Sequence, residues 1–162
     1  MLRNDYANVG NCSVAGTLEL IGERWTPLIL RDAFLGVRRF DEFQRDLGIA
    51  RNVLQARLER LVEAGILRRE LYQERPPRYE YRLTHKGVDL WPVIMALRSW
   101  GDRHLFPDGP PLVVRHRDCG GTVDDRRMCS GCGAPVEPWE AEAEPGPGAL
   151  PSQTLPGAAA RG

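Results

Sequence analysis

The chain has 162 residues, 42% of them apolar and 27% charged, a balance that supports a packed core and leaves room for one ordinary domain with a small appendage. No apolar run reaches the roughly 18 residues a membrane helix needs, and the opening Met1-Leu2-Arg3-Asn4-Asp5-Tyr6 lacks the apolar stretch of a secretory leader, so the cytoplasm is the expected compartment. The formal charge of zero is unevenly spread: Arg38 to Arg82 holds eleven arginines against eight acids, whereas Glu137 onward holds four glutamates and one arginine.

Hydrophobic period predicts the elements in order. Ser13 is placed to cap a helix through Gly22, with Val14, Leu18 and Ile21 at helical spacing. A second helix runs from Trp25 to Phe34, with Pro27 tolerable in its first turn, and Gly36 stops it. A short third helix, Phe40 to Leu47, turns Phe40, Phe43 and Leu47 inward and ends at Gly48. Ala50 to Ala64 begins a fourth helix almost at once, stopped by Gly65. Ile66–Tyr72 and Tyr79–Leu83 then read as two strands joined by a stiff polar tip, Gln73 to Arg78. Thr84 caps a long helix from Lys86 to about Leu105, interrupted early by Pro92. The result is a mainly α chain with a small β-hairpin, in the order of a winged helix-turn-helix.

The fourth helix carries the chemistry. At 100° per residue, Val53, Leu54, Leu58, Leu61 and Ala64 gather on one side, and Asn52, Gln55, Ala56 and Glu59 fall opposite, with Arg51 at the flank. Asn and Gln pair with the N6 and N7 of adenine, and Arg with the O6 and N7 of guanine. A recognition helix presents such residues from its N-terminal half to the major groove. The hairpin tip offers Arg75 and Arg78 around Pro76-Pro77, and Arg38 and Arg39 are candidates to clamp the backbone from the other side. The plainer reading is a set of solvated helix and hairpin residues. Placement between a glycine turn and a hairpin favours double-stranded DNA as the partner.

Four spaced segments, Leu20-Ile-Gly-Glu-Arg-Trp-Thr-Pro-Leu-Ile-Leu-Arg31, Gly36-Val-Arg-Arg-Phe-Asp-Glu-Phe43, Leu58-Glu-Arg-Leu-Val-Glu-Ala-Gly-Ile66 and Tyr79-Glu-Tyr-Arg-Leu-Thr-His-Lys-Gly87, resemble the HxlR-type transcriptional regulators, relatives of the MarR group. The resemblance spans about Cys12 to Leu105. It implies a winged-helix homodimer that reads palindromic operators with the helix Ala50–Ala64 and the wing Gln73–Arg78. It also matches Cys12 to a cysteine that some members use to sense oxidants or electrophiles. Read from the residues alone, a lone cysteine is commonly an inert buried thiol, and no Lys, Arg or His lies within several residues of it.

The last predicted helix bears a broad stripe, Leu90, Trp91, Ile94, Met95, Leu97, Arg98 and Trp100. With Val14 to Ile21 it is expected to form a two-fold interface, the alternative being that it covers the same chain's core. Residues 1–106 are thus expected to form the DNA-binding and dimerisation domain.

His116-Arg-Asp-Cys119-Gly and Cys129-Ser-Gly-Cys132-Gly each set two soft ligands three residues apart before a glycine, which predicts a closed, structural zinc site in a ribbon-like segment over residues 107–136. Disulfides are the competing reading, disfavoured in a cytosolic chain. Residues 137–162, rich in Glu, Pro, Gly and Ala, are expected to be disordered. No nucleophile–base grouping or phosphate loop points to an enzyme. The rival to a DNA-reading regulator is a winged-helix module that contacts another protein.

Overall fold

The computed structural model describes residues 9–151 and 155–156. They divide into two compact units: residues up to 33 with 37–87, and residues 34–36 with 88 onward.

The first unit contains α1 (Ser13–Ile21), α2 (Trp25–Phe34), α3 (Phe40–Leu47), α4 (Arg51–Glu63), β1 (Leu67–Gln73), β2 (Arg78–Leu83) and the short α5 (His85–Val88). α2 and α3 span the predicted residues. α4 is one residue shorter at each end because Ala50 is extended and serves as N-cap, and Ala64 is the C-cap. Cys12, not Ser13, occupies the N-cap of α1. Gly48 ends α3 in the left-handed conformation at φ 61°, which a side chain would strain, and so allows α4 to follow after two residues.

Ile29, Leu30, Ala33, Val37, Phe43, Leu54 and Leu58 are fully buried and make the core, with Leu61, Ile66 and Leu67 almost as enclosed. Of the three positions expected inward on α3, only Phe43 is buried; Phe40 and Leu47 are half-buried. β1 and β2 pair antiparallel, Leu67 opposite Leu83 and Arg69 opposite Tyr81. The hairpin gains a third edge that was not foreseen: Tyr81 N–H donates to the Arg38 carbonyl at 2.7 Å, and Arg39 bridges Glu80.

The segment Leu83-Thr-His-Lys-Gly87 closes the far end of α4. Lys86 Nζ donates to Ala64 O at 2.7 Å, and Thr84 Oγ1 donates to Gly65 O at 2.6 Å. These are carbonyls that a helix end leaves without partners. Gly87 approaches so closely that a Cβ there would stand 2.2 Å from Ile66 O. The expected single helix after the hairpin is in fact two, α5 and α6 (Trp91–His104), with Pro92 in the first turn of α6. Proline has no N–H to continue a ladder from α5 but fits a helix start.

The second unit contains α6, β3 (Leu112–His116), a 3₁₀ turn at Pro138–Glu140 and β4 (Ala141–Pro145). β3 and β4 pair antiparallel, with Val114 opposite Ala143 and His116 opposite Ala141. The expectation of disorder from residue 137 is therefore corrected over 137–151. Composition argued against a fold, but Ala141 and Ala143 alternate with Glu142 and Glu144, which suits a strand with one covered face. Of the expected tail, 152–154 and 157–162 lie outside the described residues, as do 1–8 of the expected first domain. The boundary at 106 also moves. Trp91 and Met95 of α6 share one core with Val114, Val123, Cys129, Val136 and Ala141, and Phe34 packs on Trp91 with ring centroids 5.1 Å apart and planes tilted by 51°.

Asp32, on α2, is fully buried. Burial pushes its carboxyl up to about 6 against the pull of Arg31, whose guanidinium lies 2.6 Å from Oδ1, and with an additional upward push from Asp46; Oδ2 has no hydrogen-bond partner. A raised folded-state pKa means the folded chain holds this proton longer than the unfolded chain. Stability is then lost as pH rises from about 4 through about 6, by about 3 kcal/mol for this group. Asp32→Asn is expected to be more stable than the parent at pH 8, with the gap closing towards pH 5 in thermal melts. A gap that does not change with pH would refute this.

Candidate nucleic-acid interface and metal centre

α4 divides as its sequence period predicts. Leu54, Leu58 and Leu61 are buried, whereas Arg51, Asn52, Gln55, Ala56 and Glu59 are exposed. The geometry refines the role of Gln55: its Nε2 donates to Glu59 Oε1 at 3.0 Å, which engages one of its two N–H donors and leaves the amide oxygen without a partner among the described residues. Two basic residues hold the inner flank, Arg57 against Glu23 at 2.9 Å and Arg60 donating to the Glu19 carbonyl.

Among the arginines of this unit, carboxylates decide which remain available. On the hairpin, Glu70 accepts from Arg68 at 2.6 Å and Arg82 at 2.9 Å, and Glu80 takes Arg82 at 2.8 Å and Arg39 at 3.6 Å. Exposed ion pairs add little stability, but they neutralise the blade of the wing. At its tip, Arg75 and Arg78 are exposed and have no carboxylate partner among the described residues; Gln73 Nε2 braces the turn against Arg75 O at 3.1 Å and Pro76 O at 3.2 Å.

Arg38 and Arg39 separate. Arg38 is half-buried, donating to Ala33 O at 2.6 Å and Val37 O at 3.1 Å, and burial lowers its pKa. It holds the α2–α3 connection through these two carbonyls. Arg39 is exposed and lies over the Tyr72 ring at 4.6 Å.

Two more arginines rest on aromatic faces: Arg51 over Phe40 at 4.9 Å and Arg69 over Tyr79 at 4.2 Å. Arg69 escaped the sequence reading. Its signal was the register, since Arg69, Tyr79 and Tyr81 share the strand face that carries the buried Leu67.

In the second unit, His116, Cys119, Cys129 and Cys132 converge, their ligand atoms all within 4.8 Å of one another. Cys119 Sγ is 3.3 Å from Cys129 Sγ, and His116 Nδ1 is 3.5 Å from Cys119 Sγ and 3.4 Å from Cys132 Sγ. A tetrahedral zinc ion spaces sulfur and nitrogen ligands by roughly 3.5–3.8 Å, so the donor set fits. The two knuckles match: Gly120 N–H donates to His116 O at 2.8 Å, Gly133 N–H to Cys129 O at 2.9 Å, and both glycines have φ of 70°. Two further glycines make room for sulfur: a Cβ on Gly121 would stand 2.5 Å from Cys129 Sγ, and one on Gly131 would stand 3.3 Å from Cys119 Sγ. Hydrogen bonds from the backbone N–H groups of Cys132 and Gly131 lower the Cys129 thiol to about 6. Asp118 Oδ2 stands 3.7 Å from His116 Nε2, where a carboxylate can orient a ligating imidazole. The cluster can bind a metal ion.

Cys12 is half-buried at the N-terminal boundary of α1, with a free thiol.

A helix-turn-helix followed by a β-hairpin wing, with a polar helix edge outward, defines a winged helix-turn-helix protein of the DNA-binding class. Residues 20–108, more than half of the chain, match the profile of the HxlR-like helix-turn-helix family, and the chain belongs to it. It is a DNA-binding transcription regulator. It is 50% identical over 137 residues to an uncharacterized HTH-type transcriptional regulator of Mycobacterium tuberculosis, covering 84% of this chain and 87% of the relative. A second uncharacterized HTH-type transcriptional regulator, YybR of Bacillus subtilis, is 36% identical over 62% of this chain and 81% of its own length. Among solved structures, PA1607, described as a transcription-factor candidate, superposes with a TM-score of 0.67 at 42% identity, covering 81% of this chain and 92% of the other. The redox regulator HypR in its oxidized form gives 0.54 at 35% identity over 57% and 97%. No described helix is long and apolar enough to cross a membrane.

The two classes of arginine should separate on substitution. Arg38→Ala is expected to cost about 1–2 kcal/mol of stability in denaturant titrations, because buried carbonyls lose a donor. Arg78→Ala is expected to leave stability unchanged while weakening binding to all duplexes alike and reducing the salt slope by about one. The reverse pattern would refute the assignment.

Proposed function

We propose that this chain acts in the cytoplasm as a homodimer that sets α4 of each protomer in a major groove of a palindromic operator, with the wing tip on the flanking backbone or minor groove. The observation that carries it is the division of α4, whose aliphatic edge is buried and whose N-terminal polar edge is open. Asn52 offers both a donor and an acceptor, the pattern adenine presents at N7 and N6. Gln55, with its nitrogen held by Glu59, offers an acceptor, which suits an amino group of adenine or cytosine. Arg69, Arg75 and Arg78, with Arg39 at its longer 3.6 Å distance from Glu80, supply positive charge for phosphates without specifying sequence.

The dimer reading is supported by exposed apolar side chains. Val14 and Leu18 on α1 are 67% and 43% exposed, and Leu97 and Trp100 on α6 are 54% and 55% exposed. Large apolar surface left open marks an interaction face, and paired half-sites call for a two-fold partner. The α6 stripe is therefore shared: Trp91, Ile94 and Met95 serve the chain's own core, and Leu97 and Trp100 serve the second copy.

Selection from a randomised duplex library tests the reading. The expected result is an inverted repeat bound by two chains in sedimentation, whose adenine preference at one position relaxes in Asn52→Ala by about 1–3 kcal/mol. Enrichment of no sequence at low salt would instead favour a protein-binding module.

We further propose that His116, Cys119, Cys129 and Cys132 hold a structural zinc ion, supported by the ligand spacing and by the glycines that clear its sulfurs. Three thiolates and an imidazole close the coordination sphere, so the ion would supply folding energy and no open catalytic position. One zinc per chain is expected by elemental analysis, with loss of the metal in Gly121→Ala. Protein purified without chelator that contains well under one ion per chain would exclude it.

Cys12 is assigned as the candidate thiol sensor, supported by its half-buried free thiol at the N-cap of α1.

A further inference from the structure

Arg51 is the first residue of α4, a position where its charge is locally unfavourable. A helix N-terminus is positive, the first turn of α4 contains no acid, and Ala50 supplies no side-chain cap. No carboxylate among the described residues pairs with it, although ion pairs hold Arg39, Arg57, Arg68 and Arg82. What holds it is a ring from another helix. Phe40, the first residue of α3, is half-buried and lies beneath the guanidinium at 4.9 Å.

A ring that holds an arginine by its charge occupies none of its N–H donors, which remain free for a second partner. A contact with phosphate tolerates many orientations of an arginine. Bidentate recognition of guanine O6 and N7 does not, because both donors must lie in the plane of the base edge. A ring that fixes the plane in advance also reduces the freedom lost on binding.

We propose that Arg51 reads one guanine in each half-site and that Phe40 is its positioning residue. The inference rests on α4 being the reading helix, and it adds a second base class to that of Asn52. It assigns α3, through Phe40, a part in specificity.

The test compares full-length parent, Arg51→Lys, Phe40→Leu and Phe40→Tyr in selection from a randomised duplex library at one salt concentration. Sites are then ranked by competition between guanine and each other base. The parent and Phe40→Tyr are expected to require guanine at one symmetric position. Arg51→Lys and Phe40→Leu are expected to lose roughly tenfold of that discrimination or more, with preferences at the remaining positions intact. Leucine keeps the apolar packing of Phe40, and a thermal melt unchanged from the parent excludes unfolding as the cause. If Phe40→Leu melts early, the Phe40→Tyr and Arg51→Lys profiles decide. The proposal is overturned if Phe40→Leu keeps the same guanine with the same weight. It is equally overturned if Arg51→Lys weakens every sequence uniformly, which would make Arg51 a phosphate contact. Failure of the parent to enrich any sequence would remove the α4 reading itself, a result distinct from loss of one base position.

Discussion

The burial of one edge of α4 constrains the rest of the DNA-binding unit. Leu54, Leu58 and Leu61 are at most 1% exposed, and each fully enclosed leucine contributes about 1.5–3 kcal/mol relative to exposure. Rotating the helix to present any other edge would forfeit that energy and bury Asn52 and Gln55 without partners. Its C-terminus is held as well, since Lys86 and Thr84 occupy the carbonyls of Ala64 and Gly65. The outward edge is therefore a consequence of how the inward edge packs.

A second level of organisation is the sorting of arginines by their partners. Arg38 becomes part of the scaffold, Arg68 and Arg82 are neutralised by Glu70 and Glu80, and Arg75 and Arg78 remain available at a braced tip. A zero formal charge is compatible with a DNA-binding surface for this reason. Affinity depends on the cations that carboxylates do not occupy, not on the sum over the chain. The aromatic faces of Phe40, Tyr72 and Tyr79 add to this sorting, because a stacked arginine keeps its charge and its in-plane donors.

The second unit solves a different problem. Outside α6 it has few large apolar residues, so Trp91 and Met95 of that helix anchor its core, which also includes the candidate ligand Cys129. Small units of this sort commonly need a metal to supplement a thin core. A Cβ at Gly121 would collide with the Cys129 sulfur, and one at Gly131 would crowd that of Cys119.

Much of this was legible in the sequence, because periodicity and punctuation are local properties. The apolar spacing of α2, α3 and α4, the glycine after each, the alternating Tyr79-Glu-Tyr-Arg-Leu83 and the two ligand pairs of the metal cluster were all readable from near neighbours along the chain. Where the reading failed, the deciding contact was one that periodicity does not report. Ala141 to Pro145 looked too polar to fold until β3 gave it a partner, and Arg38 looked free until the carbonyls of Ala33 and Val37 took its donors. The placement of Arg51 over Phe40 has no signature in spacing at all. Sequence by itself determined which elements form from α1 to β2 and which side of α4 is apolar, since 3.6-residue and two-residue periods act within one element. Only tertiary structure decided which arginines stay free and what closes the second core, because pairing and burial depend on which distant groups the fold brings within a few ångströms.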